Sequence, residues 1–409
     1  MVGTPIVIGL SPNLFYKDLI ETFKIIFQPW KWKFGNSIQK VEDWAENYFN
    51  VSQAISFNAG RSALYTSLKA LDLKPNDEVM LQAFTCVAVP NAVIWADLKS
   101  VFVDINDSLN IDTKDASLKL TPNTKALIVQ HTFGIPGNMD EIVKFCQNHK
   151  LYLIEDCAHS LGATYNGKQV GTFGDVAVFS FGRDKIISSV FGGMAITNNK
   201  HIATKITQLQ GNLAYPGNFW IFQQLLHPII TFVSLSLYSF FNLGKLILYL
   251  SQKLHLLSMP VYNQEKRGDR PDIFPKKFPN ALAYLAINQL KQLEQMNEKR
   301  QKIAKQYYNN LDKSKFLLPK INNEAVYLRY NVLINNANQV RDQLKKQRIV
   351  LGNWYHNIID PEGIDFGHIG YKKGSCSKAE IMAKMSLNLP TSPILKHNQI
   401  QKLISLLNS

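Results

Sequence analysis

The chain has 409 residues, 46% hydrophobic content and a formal net charge of +14. That length supports two or three domains around a sizeable core, and the charge suits anionic substrates or an anionic membrane face. No zinc-ligand spacing, RNA-binding sheet signature or dense basic run is present, which sets nucleic acid aside as a partner. Four cysteines, Cys86, Cys146, Cys157 and Cys376, match no metal or redox motif. With no signal-peptide pattern at the start, free thiols in a reducing cytoplasm are expected, and no metal site is predicted.

Residues 1–50 read as an N-terminal arm, with a helix in "SIQKVEDWAENYF" (37–49). From 51 to 205 strands and helices alternate, as in an α/β domain with a mostly parallel sheet. "AISF", "EVML", "VFVDI", "ALIVQH", "LYLIED", "VAVFSF" and "GMAIT" are short apolar strands of the kind that lie buried on both faces. Residues 206–270 form an apolar insert, free of Asp, Glu, Lys and Arg from 206 to 244. The charged, Pro-rich "EKRGDRPDIFPKKFP" follows, then one interdomain helix from about Asn280 to Asn310 within residues 271–310. Residues 311–409 read as a small α+β domain: a strand in "AVYLRYNVLI", a helix in "NQVRDQLKKQ" and a terminal helix in "NQIQKLISLL".

Four stretches carry polar groups to strand ends, where ligands bind in open α/β sheets. In "FNAGRSALYTSL", Gly60 allows a tight turn and a helix opens beside Arg61 and Ser62, an arrangement that suits a phosphate. An ordinary Gly turn with a Ser cap has the same pattern. "LYLIEDCAHSLGA" delivers Glu155 and Asp156 to a strand end; a helix cap accounts for one acid equally well, and His159 reads as a satisfied polar residue or a site residue. "VFSFGRDK" places Ser180 on a strand and Lys185 in the turn after it. That lysine is either a solvated loop charge or a half-buried amine kept for chemistry. In "VQHTFGIPGNMDEI", His131 ends a strand before a turn. Together these stretches meet the needs of pyridoxal 5'-phosphate: a lysine to anchor it, an acid to keep its ring nitrogen protonated and donors for its phosphate. Lys185 is the first, Asp156 the second, and Gly60, Arg61, Ser62 and Ser180 supply the third.

At this point the chain resembles the sugar aminotransferases of the DegT/DnrJ/EryC1/StrS family. "AGRSAL" (59–64) matches the family's "SGTxAL" phosphate turn. "DEVMLQAFTCVAVPNA" (77–92) and "IEDCAHSLGATYNGKQVGTFGDVAVFSF" (154–181) match two longer family strings, and Lys185 with a Gly-Gly turn follows. The resemblance implies fold type I: a large domain with a mixed, mostly parallel seven-stranded sheet, a small α+β C-terminal domain and, here, an added apolar helical insert. It implies amino transfer, with glutamate as the donor, to a nucleotide-linked ketosugar, in a homodimer that serves cell-envelope glycan or related amino-sugar synthesis. Lys185, Asp156 and His159 are the expected catalytic residues; Gly60, Arg61, Ser62, Cys86, Ser180 and the same three bind the cofactor. Several positions depart from the family pattern. Arg61 replaces the phosphate-turn Thr, Cys86 a frequent aromatic, His159 a frequent Gln, and Pro275 falls where many members carry an Asn that reaches the partner's phosphate; Lys276 and Lys277 are the candidate substitutes. These changes leave open a silent relative acting as a sensor or scaffold. The branch of sugar dehydratases carries His in place of the lysine, and Lys185 argues against it.

The insert admits three readings. Residues 219–258 are rich in apolar side chains, yet the run from Pro228 to Gly244 is short for a bilayer span and holds Ser234, Ser236, Ser239 and Asn242. A buried helix pair is the second reading. An interfacial or re-entrant helical hairpin is favoured, with Phe219, Trp220 and Tyr249 at headgroup level and Lys245, Lys253, Lys266, Arg267 and Arg270 facing anionic lipid. It would hold a cytoplasmic enzyme peripherally or monotopically on the inner face of the membrane.

Overall fold

The computed structural model describes residues 5–9, 13–238 and 240–409; Ser239 lies outside the described residues. Strand β1 (Ile6–Val7) and helices α1 (Tyr16–Ile26) and α2 (Ser37–Phe49) form the N-terminal arm. Val41, Ala45 and Phe49 share one face of α2 and are buried. The helix stops at Asn50, whose φ of 51° is a left-handed conformation that Asn tolerates. Then follow β2 (Gln53–Phe57), α3 (Gly60–Ala70), β3 (Glu78–Gln82), α4 (Ala88–Trp95), β4 (Lys99–Val103), α5 (Thr113–Lys119), β5 (Thr124–Gln130), α6 (Met139–His149), β6 (Tyr152–Asp156), β7 (Val176–Ser180), β8 (Gly193–Thr197) and α7 (Lys200–Gly211).

The seven strands β2 to β8 make one sheet in the order β2-β8-β7-β6-β5-β3-β4. All pairings are parallel except those of β8 with β7 and with β2. This is the mixed seven-stranded sheet that the family resemblance implies. Every residue of β8, and most of β5, β6 and β7, is buried, because apolar clusters cover both faces. Since β8 runs antiparallel, its first residue lies at the same sheet end as the last residues of β2 and β7: Gly193 pairs with Phe57 and with Ser180. Asp156 closes β6 in register with Val178. One sheet end therefore collects Phe57, Asp156, Ser180 and Gly193.

After α7 come the insert helices α8 (Asn218–Ser236) and α9 (Leu243–Lys253). Their packing differs. Trp220, Ile221 and Leu225 of α8 enter the core beside Phe191 and Phe274, and α8 also packs on α1. In α9 only Gly244 and Ser251 are buried; Leu246, Tyr249, Leu250 and Leu254 just beyond it are exposed. The helix read as continuous from Asn280 is two, α10 (Asn280–Leu290) and α11 (Leu293–Asn310). Uncharged α10 packs against α2 in the large domain. The chain turns at Lys291–Gln292, and the more polar α11 goes to the small domain, where it meets the terminal helix. The small domain is built from β9 (Arg329–Leu333), α12 (Ala337–Lys346), β10 (Ile349–Val350), α13 (Ser377–Met385), β11 (Ser386–Pro390) and α14 (His397–Asn408). β9 and β11 are antiparallel, and β1 of the arm joins β10 in parallel, Ile6 opposite Ile349.

Candidate active site

The strand ends meet at a cavity of about 150 Å³, lined among others by Gly60, Arg61, Cys86, Asp156, His159, Ser180 and Lys185. Two close approaches make it. A Cβ on Gly60 would sit 2.8 Å from Ser180 Cβ, and one on Gly193 only 2.3 Å from the Gly60 nitrogen. Without side chains at these positions, α3 starts directly over the ends of β7 and β8. The first N–H groups of a helix have no helical acceptor, so Gly60 and Arg61 bring free donors to the cavity rim beside the Ser180 hydroxyl.

Lys185 follows β7 in a turn closed by its own N–H donating to the Gly182 carbonyl, 3.2 Å. Asn13 donates to its carbonyl and to that of Ile186. Ile186, Ile187, Val190 and Phe191 around it are buried. Burial lowers the Lys185 amine to about 8; the nearby Cys86 and Asp156 oppose this, and Arg329 reinforces it. Its Nζ lies 4.8 Å from the centre of the Trp354 ring. Asp156 accepts from the Ala158 N–H at 3.0 Å. Burial pushes its carboxyl above the usual range, while that backbone bond and the Lys185 charge pull it down. A buried carboxyl and an amine of lowered pKa thus share one cavity, a combination typical of catalytic sites.

His159 lines the same cavity, with its ring stacked near Phe133, Trp354 and Tyr355. Its Nδ1 accepts from the Phe133 N–H at 3.3 Å, and Nε2 lies 3.4 Å from the Tyr355 hydroxyl. Burial holds it neutral, well below the usual histidine range. Among the described residues no hydrogen bond joins His159 to Asp156. Burial raises the Cys86 thiol at the rim. Ser62 is not part of the lining: its hydroxyl is buried and donates to Asn58 at 2.8 Å. The Arg61 side chain is engaged elsewhere, paired with buried Glu265, donating to the Pro260 carbonyl and lying over Phe274. Only the backbone of Arg61 remains for an anion.

His131 belongs to a different group. It lies 3.3 Å from Glu155 and accepts from the Gly137 N–H. Glu155 in turn accepts from the N–H groups of Gly171, Phe173 and Gly174, each at 2.7 Å. With Cys157 these residues form a tight buried trio. The Glu155 carboxylate is saturated by the loop it pins, which is a structural role.

The chain matches the model of the DegT/DnrJ/EryC1/StrS aminotransferase family over residues 16–215 and 261–408. The chain belongs to this family of pyridoxal-phosphate-dependent sugar aminotransferases. It is 31% identical to the uncharacterized protein MJ1066 of Methanocaldococcus jannaschii over 90% of this chain and 88% of that one. It is 34% identical to the GDP-perosamine synthase of Escherichia coli O157:H7 over 51% of this chain and 58% of that one. Its fold superimposes on an aminotransferase from Psychrobacter cryohalolentis with a TM-score of 0.75, at 19% identity over 97% and 96% of the two chains.

The residues present fit the family's cofactor. Lys185 offers a half-buried amine of lowered pKa, Asp156 a carboxylate in the same cavity, and Ser180 with the start of α3 a set of phosphate donors. Sequence reasoning missed several neighbours. Trp354 and Tyr355 come from a small-domain loop, and Arg183 from the Lys185 turn itself; all three line the cavity. Arg329 of β9 stacks on Trp354 at 3.6 Å and lies 3.7 Å from Asp184. Two adjacent aromatics in the Gly/Asn-flanked loop "GNWYHN" were the available signal.

Proposed function

We propose that this member of the aminotransferase family moves an amino group from glutamate to a ketosugar carried on a nucleotide, acting as a homodimer in cell-envelope glycan or related amino-sugar synthesis. The observation that carries this reading is Lys185, an amine near half-charge at about pH 8 in a cavity it shares with Asp156. Bound there, pyridoxal phosphate supplies an electron sink for the electrons of the carbon that loses a proton. Lys185, once free, takes that proton as a general base and returns it during the second half-reaction, and its lowered pKa suits both directions. Asp156 keeps the ring nitrogen's proton in place by its negative charge. His159, neutral and hydrogen-bonded at both nitrogens, positions the cavity wall and moves no proton.

Support for the nucleotide-linked acceptor comes from the names of relatives such as GDP-perosamine synthase and from the +14 charge. The homodimer and the glutamate donor rest on family membership. For the insert, the interfacial reading draws on the exposed Phe240, Phe241, Leu246, Tyr249 and Leu250 beside Lys245 and Lys253. Helix α8, 19 residues long, has the length and hydropathy of a span, but half of that window is buried in the protein. The enzyme would then work in the cytoplasm against the membrane's inner face.

The test is direct. Purified protein should be yellow, borohydride should fix the cofactor on Lys185, and a panel of ketosugar nucleotides with glutamate should yield one product heavier by the expected exchange of oxygen for an amine. Colourless protein that takes no cofactor, or bound cofactor with no product across the panel, rejects the proposal. Fractionation addresses the insert: protein found wholly in the soluble fraction and not on anionic liposomes removes the membrane reading.

A further inference from the structure

Two residues of the Lys185 cavity, Asp184 and Trp354, also line a second and larger cleft of about 530 Å³. Its lining includes buried Arg329, stacked on Trp354. It also includes Tyr238, Lys245 and Tyr249 from the insert and Lys345 of α12. Among the described residues Asp184 is the one acid in the lining, against three cations. It already faces Arg329, and its Oδ1 has no partner among the described residues. Lys245 rests near the face of Tyr238 at 5.2 Å. Neither Lys245 nor Lys345 has a carboxylate within ion-pair distance among the described residues.

We propose that this cleft is the diphosphate subsite of the acceptor substrate, with Lys245 and Lys345 as its phosphate contacts and Tyr249 as the platform for the group beyond the diphosphate. The proposal rests on the reading of the acceptor as a diphosphate-linked sugar and adds where that diphosphate binds. Two cations from separate elements, without an acid between them, suit a doubly charged linker better than a single carboxylate. The cleft shares Asp184 and Trp354 with the Lys185 cavity, so a diphosphate at the lysines would lie next to a sugar at the amine. Its volume is that of a small-molecule site. Lys245 and Tyr249 lie in the gap of the family match, between residues 215 and 261. Acceptor choice in this chain is therefore set partly by a segment that the family model does not contain. The same diphosphate occurs on nucleotides and on polyprenyl carriers. The exposed Leu246, Leu250 and Leu254 beside the cleft would serve the second.

The experiment measures binding of GDP, UDP, dTDP and farnesyl diphosphate to the holoenzyme, wild type and Lys245→Ala, Lys345→Ala and Lys346→Ala variants. Lys346 is exposed on the same helix as Lys345 but outside the cleft. Each cleft variant should bind the preferred diphosphate about ten-fold more weakly, Lys346→Ala should bind as wild type, and Lys245→Arg should recover most of the affinity. Preference for a nucleoside diphosphate assigns the nucleotide source; preference for farnesyl diphosphate with the same lysine dependence assigns the lipid carrier. Unchanged affinity in both cleft variants, or an equal loss in Lys346→Ala, overturns the subsite. The glutamate half-reaction separates this from the proposed function. An enzyme that consumes glutamate but ignores these lysines keeps the function and loses the cleft; one that binds through them but never reacts with an amino donor does the reverse.

Discussion

The turn around Lys185 and helix α9 are both apolar stretches that carry a lysine, and they treat it in opposite ways. In the turn the apolar residues are buried and the lysine is half-buried among them, so desolvation lowers its amine to about 8. In α9 the apolar residues are exposed and Lys245 stands in solvent beside them. The first arrangement spends stability to hold an amine ready for chemistry. The second leaves uncovered surface that only an additional ligand, membrane or partner can bury. Composition is the same in kind; the element packed on top makes the difference.

The strongest way to sharpen this contrast is Lys185→Ala. Transamination should fall by about 10³-fold or more, the general-base and anchoring contributions together, measured as product per turnover with the protein's circular dichroism unchanged. Turnover near the wild-type rate means another amine does the work. Next comes Leu225→Ala in α8, a side chain fully buried. It should cost about 3 kcal/mol in urea unfolding, and a cost under about 1 would show that α8 is loosely held.

Asp156→Asn should reduce kcat by about 10²-fold, because a neutral amide cannot hold a protonated ring nitrogen by charge. Wild-type kcat in that variant would remove Asp156 from the mechanism. Lys185→Met in the apo-protein should be more stable than wild type at pH 7, by on the order of 2 kcal/mol. The sign follows from the lowered pKa. Between about 8 and 10.5 the unfolded chain binds more protons than the folded one, so wild-type stability climbs with pH and the gap should close across that window. A gap that is constant in pH would mean the amine is not desolvated. The smallest effect is expected for Leu246→Ala in α9, within about 0.5 kcal/mol of wild type; a loss comparable with Leu225→Ala would mean that α9 is core.

Much of the sheet was legible from short apolar runs, because strands buried on both faces need no alternation. Asp156, Ser180 and Lys185 were legible for a related reason: each lies at or just past the end of such a run, and strand ends are where open sheets bind ligands. Ser62 read as a phosphate donor, yet one helical turn of geometry sends its hydroxyl to Asn58 instead. Trp354, Tyr355 and Arg329 were not legible, since they reach the site from a domain some 150 residues later, the two aromatics on a loop without periodicity and the arginine on a strand. The break at Lys291–Gln292 was also hidden. Both halves are good helix sequence, and only the need to pack one half on α2 and the other in the small domain parts them.

Local order along the chain determined the strands, their turns and the polar groups at their ends, because backbone geometry and side-chain alternation act over a few residues. The family strings at 59–64, 77–92 and 154–181 carried the cofactor with them. Tertiary structure alone decided that Lys185 is desolvated, that His159 is neutral, that α8 is inside while α9 is outside, and that Lys245 and Lys345 line one cleft. Those properties depend on which distant surfaces cover a residue, and desolvation is a property of the cover rather than of the residue it covers.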